Sequence, residues 1–279
     1  MIKNKIILGD NVFWGVNHHN KELGDILSEK FKEPDAIVSI IEQALENGIE
    51  HFMFSSHERV ENILNECQKN DLLKHISILP NIPYIIKYVK KASQDGLPSL
   101  INSYVPNDSF FKKIIFLFQS GRDIALARLN RIIESAIDKE LSAYKGFNLP
   151  IIFLHNAITD LIIGLGAIDA LEVYCNHIRS KYDSMPGFIT LNPIILNKSL
   201  KIKKIENVCL MSPFNNSGFN MNPSVEKVEQ VIEKLDYHFI PMNIFASSAK
   251  NPEKSIKYIS RFRKISNIII GTSNPIHIK

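Results

Sequence analysis

The stretch NIIIGTSNPIHIK, Asn267–Lys279, joins a short apolar run to a glycine-containing turn. The β-branched residues Ile268–Ile270 are typical of a buried parallel strand. Gly271–Asn274 follows directly, and Pro275 stands where the first residue of a helix is expected. A strand that ends this way leaves backbone N–H groups that can bind a phosphate or a carboxylate. We therefore expect either an anion site in this turn or an ordinary strand-to-helix connection.

The same alternation of a short apolar strand with a helix recurs along the whole chain. Its spacing suits parallel strand pairing and predicts an α/β fold, a single (β/α)8 TIM barrel spanning residues 1–279. No Gly-x-Gly-x-x-Gly motif follows the first strand, which argues against a doubly wound dinucleotide domain. The predicted strands are Lys5–Leu8, Ile49–Phe54, His75–Leu79, Ile151–Leu154, Gly187–Leu191, Val208–Met211, Phe239–Phe245 and Ile268–Ile270.

Two places depart from this regular pattern. Residues 82–120 form an insertion after the third strand, which we interpret as a lid, a subunit contact or extra packing. The eighth outer helix is predicted to be truncated or missing, because the sequence stops where that helix should begin. Apolar barrel wall left uncovered there would need another subunit or the segment Lys21–Lys32. We therefore expect a homo-oligomer.

Composition excludes several classes of protein. The 279 residues are 45% hydrophobic, which suits one large core. A net charge of +4, from 33 basic and 29 acidic residues, does not indicate a nucleic-acid partner. Cys67, Cys175 and Cys209 form neither a disulfide framework nor a metal knuckle, which favours a reducing cytoplasm. The sequence shows no signal peptide and no bilayer-spanning apolar run, so no membrane partner is expected.

Residues capable of acid–base chemistry follow several predicted strands. In a (β/α)8 barrel the carboxyl ends of the strands converge on one opening. His155 follows the fourth strand and is our preferred general base, and Asp10, after the first strand, could orient it. For each histidine, the alternative is a loop or core side chain bonded to the backbone. The further catalytic candidates are His18, His57, Glu58 and Tyr84.

Other polar residues at the same opening suggest a small anionic metabolite as the ligand. Amide and hydroxyl groups suit recognition of hydroxylated compounds, and an arginine could hold an anionic group. The substrate-binding candidates are Asn11, Asn17, Arg59, Asn81, Asn156, Asn192, Ser212 and Asn215. The phosphate-binding candidates are Ser247, Ser248, Gly271, Thr272, Ser273 and Asn274.

A metal site is not predicted. Asp10, His57, Glu58 and His155 could supply nitrogen and oxygen ligands to zinc or manganese. No two of them, however, have the tight spacing of a ligand pair on one strand. We therefore name no metal ligands, although a divalent metal stays open.

Several segments resemble the aldo/keto reductase superfamily. GIEHFMFSSHERVENIL, Gly48–Leu64, is similar to that family's second strand and the turn after it. FLHN, Phe153–Asn156, is similar to its fourth strand, whose histidine would fall on His155. NIIIGTSNPIHI, Asn267–Ile278, is similar to its last strand and the turn that holds cofactor phosphate. The resemblance implies the barrel fold over most of the chain and an anion site.

The chain departs from this family at the catalytic positions. Met53 and Glu58 stand about where the family has its catalytic aspartate and tyrosine, and Asn81 stands about where it has a lysine. Tyr84 is the nearest substitute for the missing tyrosine. The resemblance therefore does not imply standard NAD(P)H-dependent reduction by the family's own residues.

Three functions follow as hypotheses. The first is an acid–base lyase, isomerase or epimerase acting on a small phosphorylated or nucleotide-linked, sugar-like metabolite. The first alternative is an NAD(P)-dependent oxidoreductase with a different proton donor. The second is a catalytically inactive barrel that serves as a binding subunit. No cofactor is favoured, and NADP stays open.

Overall fold

The computed structural model describes residues 6–16, 21–84, 133–246, 251–274 and 278. Its strands are β1 Ile6–Gly9, β2 His51–Ser55, β3 Ser77–Ile82, β4 Ile151–Leu154, β5 Met185–Ile189, β6 Cys209–Pro213, β7 His238–Met242 and β8 Ile268–Ile270. They form one eight-stranded parallel sheet in the order β7-β6-β5-β4-β3-β2-β1-β8. A bridge between Phe239 and Ile265 brings the two edges together. The predicted (β/α)8 barrel is confirmed.

Helices alternate with these strands. In the described ranges they are α1 Lys21–Lys30, α2 Pro34–Glu46, α3 Val60–Lys69, α4 Asn156–Gly164, α5 Asp169–Tyr182, α6 Pro193–Ile202, α7 Val225–Glu233 and α8 Pro252–Ile259. Residues 133–141 add a helical segment, and short 3-10 turns span Asn11–Trp14, Leu72–Lys74 and Ser142–Tyr144. None of the described helices is long and apolar enough to cross a membrane. The predicted insertion, residues 82–120, lies almost wholly outside the described residues.

One predicted helix is two helices in the structure. The pattern predicts a continuous helix over Asp160–Arg179, but α4 ends at Gly164 and α5 begins at Asp169. Gly166 has a φ of +70°, a left-handed conformation that ends a helix at little cost for glycine. α4 also begins earlier than predicted, directly after His155. This start places His155 at the junction of β4 with its helix.

The barrel encloses its own apolar cluster. Lumen-facing side chains from successive strands pack together there, separately from the larger core between the sheet and the helices. Phe153 on β4 is fully buried in this cluster, and its neighbour in register on β5 is Gly187. The missing side chain at Gly187 makes the room that the Phe153 ring occupies.

Replacing Gly187 by alanine is expected to destabilise the barrel. A Cβ atom there would lie 2.4 Å from Cδ1 of Phe153 and 2.9 Å from Cγ2 of Ile151. We expect the free energy of unfolding to fall by about 1–3 kcal/mol, measured by chemical denaturation. Gly164→Ala is the matched control, because nothing lies within 4 Å of a Cβ there. Equal stability of the two variants would contradict this account of the lumen.

An additional helix packs at the carboxyl end of the barrel. α1 lies against the Asn11–Trp14 turn that follows β1, and the approach is close, since a Cβ on Gly15 would lie 2.5 Å from the carbonyl oxygen of Gly24. Gly15 also has a φ of +67°. Both the close approach to α1 and the positive φ therefore require glycine at position 15. As a result, α1 is held beside the opening of the barrel.

Candidate active site

Asp10 is the centre of a buried hydrogen-bond network at the carboxyl end of β1. Its carboxylate is 3% exposed, and Oδ2 accepts hydrogen bonds from Trp14 Nε1 at 2.5 Å and from the Ser55 backbone N–H at 2.6 Å. The Ser55 side chain also acts to lower the pKa of this carboxylate. Burial raises the pKa of Asp10, and these hydrogen bonds offset part of the rise. The structure thus gives this predicted site residue fixed partners from the turn after β1 and from β2.

Asn81 extends the same network from β3. Its Nδ2 donates to the Ser55 hydroxyl at 3.3 Å. Its Oδ1 is buried and has no hydrogen-bond partner within the described ranges. The predicted site residues Asp10 and Asn81 are therefore brought together through Ser55, a residue that the sequence analysis did not select.

Three aromatic rings form a continuous wall beside this network. Trp14 and His57 stack almost parallel, with centroids 4.1 Å apart and an interplanar angle of 6°. Tyr84 packs on the His57 side, with centroids 4.8 Å apart. Nδ1 of His57 accepts from the Arg59 backbone N–H at 3.1 Å. His57 is thereby held between Trp14 and Tyr84.

Tyr84 stays protonated over the whole physiological pH range. Desolvation is the largest cause, and the negative charges of Asp10 and Glu58 add to it; together they raise the pKa of Tyr84 to about 12, although Arg59 opposes the rise. The Tyr84 backbone N–H donates to Ser56 Oγ at 3.0 Å, and Ser56 Oγ donates to Glu140. Glu140, in the helical segment 133–141, thus helps to place Tyr84.

His155 is held as a neutral hydrogen-bond donor. Its Nδ1 accepts from the Ala157 backbone N–H at 3.2 Å, so the ring caps α4. Burial lowers its pKa to about 4, so the ring is neutral near pH 7 and carries its proton on Nε2. The predicted role of general base does not fit this geometry, because the nitrogen that could accept a proton is already engaged. The ring can instead donate from Nε2.

His155 is expected to make the fold acid-sensitive. Its folded pKa lies below the ordinary value, so the unfolded chain binds the proton more tightly and stability falls as the pH drops from about 6.5 to about 4. We expect wild type to lose about 2 kcal/mol of unfolding free energy through this group between about pH 7 and about pH 5. His155→Asn, which keeps a capping group, should lose less, as measured by denaturation at both pH values. If the exposed control His75→Asn reduced the acid sensitivity by the same amount, the assignment to His155 would fail.

The Arg59 side chain is engaged in hydrogen bonds within the protein. Its guanidinium donates to the backbone carbonyl oxygens of Phe31, Lys32 and Phe13, each at 3.0 Å, and it also lies over the Trp14 ring. These contacts tie the end of α1 to the β1 and β2 loops. The predicted role in holding an anionic substrate is therefore not the role that these contacts serve.

The remaining predicted residues have varied surroundings. Glu58 and Asn11 are exposed, and Asn156 is half-buried at the start of α4. Asn192 Oδ1 accepts from the Ile195 N–H and caps α6. Asn215 is buried and organises its own loop through Ser217 and Phe219. Buried Ser212 has an Oγ without a partner in the described part of the chain. Asn17, His18, Ser247 and Ser248 lie outside the described residues.

The turn after β8 lies beside β1, where Leu8 pairs in register with Ile270. Thr272 Oγ1 accepts from the Asn274 N–H and donates to its carbonyl oxygen, both at 3.1 Å, which fixes the turn. Lys30 of α1 donates to the Ser273 carbonyl oxygen at 2.6 Å. The sequence analysis missed Lys30, because 243 residues separate it from its partner and no local pattern indicates the contact. Among the described residues, no group of three or more potential metal ligands occurs.

Three solved structures with the same fold are assigned as reductases, two of them as aldo-keto reductases. A Pseudomonas aeruginosa protein assigned to this class has a TM-score of 0.58 at 15% identity, with coverage of 99% of this chain and 87% of its own. An aldo/keto reductase from Brucella melitensis has a TM-score of 0.55 at 11% identity, with coverage of 98% and 85%. A protein assigned as 2,5-diketo-D-gluconic acid reductase B has a TM-score of 0.57 at 9% identity, with coverage of 98% and 79%. The chain has an aldo-keto reductase-like barrel.

The likeness is one of fold. No family model matches the chain, and no curated protein sequence matches it. The resemblance seen in the sequence is nevertheless confirmed at the level of architecture, over nearly the whole chain. The aldo-keto reductase-like barrel also corrects the first functional hypothesis. The expectation of a lyase, isomerase or epimerase is wrong, because the neighbours in fold named above are assigned as reductases.

Proposed function

We propose that this protein is an NAD(P)H-dependent oxidoreductase that reduces the carbonyl group of a small compound. The observation that carries the proposal is the neutral state of His155, fixed as an Nε2–H donor by its cap on α4 and by burial. Neutral donors suit a carbonyl oxygen that gains negative charge during reduction. The three neighbours in fold named above, which are assigned as reductases, support the same class.

His155 and Tyr84 enter the site from adjacent strands. The His155 backbone N–H donates to the Ile82 carbonyl oxygen at 2.8 Å, and Tyr84 lies two residues beyond Ile82. In the proposed mechanism, His155 hydrogen-bonds the substrate oxygen and Tyr84 gives its phenolic proton to that oxygen as the hydroxyl product forms. Solvent then returns a proton to the tyrosinate. His57 packs against the Tyr84 ring, and Trp14 stacks on His57 behind it.

The turn after β8 has groups that fit a nicotinamide dinucleotide. The Lys30 ammonium lies at this turn, where it donates to the Ser273 carbonyl oxygen, and a cation beside a glycine-containing turn suits a phosphate. Gly271–Asn274 and Lys30 would therefore hold the phosphate end. A reduced nicotinamide supplies hydride to the carbonyl carbon when it is bound. The phosphate-binding roles of Ser247 and Ser248 remain predictions.

Trp14 makes this proposal directly testable. It is the only tryptophan of the chain, and it lies against His57 and Asp10. Titration with NADPH or NADH is expected to quench its fluorescence to saturation, and a panel of aldehydes and ketones should then oxidise the cofactor. Lys30→Met should weaken binding of NADPH, whereas the exposed control Lys32→Met should not. Absence of both quenching and turnover at millimolar cofactor would overturn the proposal.

We also propose that the chain forms a homo-oligomer. We further propose that it lies in a reducing compartment and that its substrate is a small anionic compound. Ile26 on α1 and Ile202 on α6 are 63% and 61% exposed, and such apolar side chains favour contact with a second copy. Cys67, Cys175 and Cys209 are all unpaired and buried, as expected where thiols stay reduced. Light scattering at several protein concentrations tests the oligomer, and a mass equal to one chain throughout would contradict it.

A further inference from the structure

The hydrogen bonds around Asp10 all run in one direction. Asp10 Oδ2 accepts from two N–H groups, which cannot act as acceptors, so this oxygen is fixed as an acceptor. Ser55, whose backbone N–H is one of these donors, also carries the hydroxyl that accepts from Asn81 Nδ2 at 3.3 Å. Asn81 is therefore joined to Asp10 through Ser55, with Asn81 as the donor.

The Asn81 amide meets Ser55 with Nδ2, so Oδ1 is the group directed away from the network. Oδ1 is buried without a partner in the ranges that the structure describes. A buried carbonyl oxygen without a donor costs about 1–3 kcal/mol, so a ligand that supplies one gains affinity.

The strand position of Asn81 places its side chain at the carboxyl end of the barrel. The lumen-facing alternation of β3 carries Asn81 on the side of Leu79, toward the site. Phe153, its partner in register on β4, lies just before His155. Asn81 therefore lies on the strand beside β4, opposite a residue two positions before His155.

We propose that Asn81 is a specificity-determining residue that accepts a hydrogen bond from a hydroxyl group on the carbon next to the reacting carbonyl. This inference rests on the proposed reductase function and deepens it by naming the substrate class, the α-hydroxy carbonyl compounds. Such a substrate presents an acceptor to His155 and a donor to Asn81, and it satisfies both groups at once. A site with a buried acceptor discriminates against the analogue that lacks the hydroxyl.

The test compares two aldehydes that differ by one hydroxyl, lactaldehyde and propanal, with NADPH as the reductant. Wild type is expected to show a kcat/KM ratio of about 10 to 100 in favour of lactaldehyde. In Asn81→Leu the ratio should fall close to one, and in Asn81→Asp, which keeps an acceptor, a preference should persist. Asn197→Leu is the matched control, since Asn197 on the outer helix α6 also has a buried Oδ1 without a partner among the described residues. Its ratio should equal that of wild type.

The outcomes of this test distinguish the role of Asn81 from the proposed reductase function. Turnover of both aldehydes by wild type without preference, or an unchanged ratio in Asn81→Leu, would overturn the role of Asn81 and leave the reductase intact. Asn81→Leu could instead bind NADPH more weakly, as seen in Trp14 fluorescence, while its lactaldehyde-to-propanal kcat/KM ratio equals that of wild type. This result would assign Oδ1 to the cofactor amide and would also overturn the proposed role of Asn81. Absence of cofactor binding and of all turnover would overturn both proposals. Circular dichroism identifies a misfolded variant, in which case Asn81→Asp and Asn81→Ser decide.

Discussion

Replacing Tyr84 by phenylalanine is expected to lower kcat/KM for carbonyl reduction by about 10²–10⁴-fold, the usual contribution of a positioned acid. The variant keeps the ring that packs against His57 and loses only the phenolic proton. Steady-state kinetics with a saturating reduced cofactor measure the effect. The pKa of about 12 also predicts that wild type keeps its activity into alkaline solution, without a tyrosine titration below about pH 10.

Tyr258→Phe is the matched control for this substitution. Tyr258 hydroxyl donates to Glu229 at 2.7 Å between outer helices, so its loss removes a hydrogen bond of similar kind far from the site. Its kcat/KM should stay within about twofold of wild type. Equal activity of Tyr84→Phe and wild type would exclude Tyr84 as the proton donor, even if the protein proved to be a reductase.

Replacing Asp10 by alanine is expected to lower the free energy of unfolding by about 3–5 kcal/mol. The carboxylate is the acceptor for two buried N–H groups, those of Trp14 and the Ser55 backbone, and each orphaned donor costs about 1–3 kcal/mol. Denaturation followed by Trp14 fluorescence reports the loss at the site itself.

Asp10→Asn and Asp169→Ala are the comparison variants for this measurement. The asparagine keeps an acceptor oxygen and should lose less than half as much stability as the alanine variant. Asp169 pairs with Lys203 on the surface, where ion pairs contribute about 0–1 kcal/mol. If Asp10→Ala were no more destabilised than Asp169→Ala, the Asp10 network would have no structural importance.

The sequence predicted the architecture because strand and helix alternate by period alone. β4 was located at the observed residues, Ile151–Leu154. β3 was predicted to end at Leu79, since Pro80 and Pro83 resemble strand breakers, yet it continues to Ile82. The Pro80 position pairs in register with Phe54 in a buried strand, so the tertiary sheet overrides the local signal. This shift moves Asn81 from a loop into the barrel wall.

The candidate site residues were selected by position and not by role. His155 and Asp10 were selected because they follow strands, which a sequence reveals. Their roles depend on partners that a sequence does not reveal, such as the Ala157 N–H that fixes the tautomer of His155. Arg59 shows the same limit, since its three carbonyl partners come from two distant loops. Long-range contacts of this kind cannot be derived from local periodicity.

The narrow closure between β7 and β8 has a consequence for ligand exchange. In the described part of the chain, one bridge between Phe239 and Ile265 links these two sides, and β8 has three residues. Amide protons of β8 should therefore exchange with deuterium sooner than those of the longer interior strands β2 and β3. Because β8 leads into Gly271–Asn274, local opening of the sheet between β7 and β8 would loosen one side of the barrel opening. The opposite side, with His155, would stay in place.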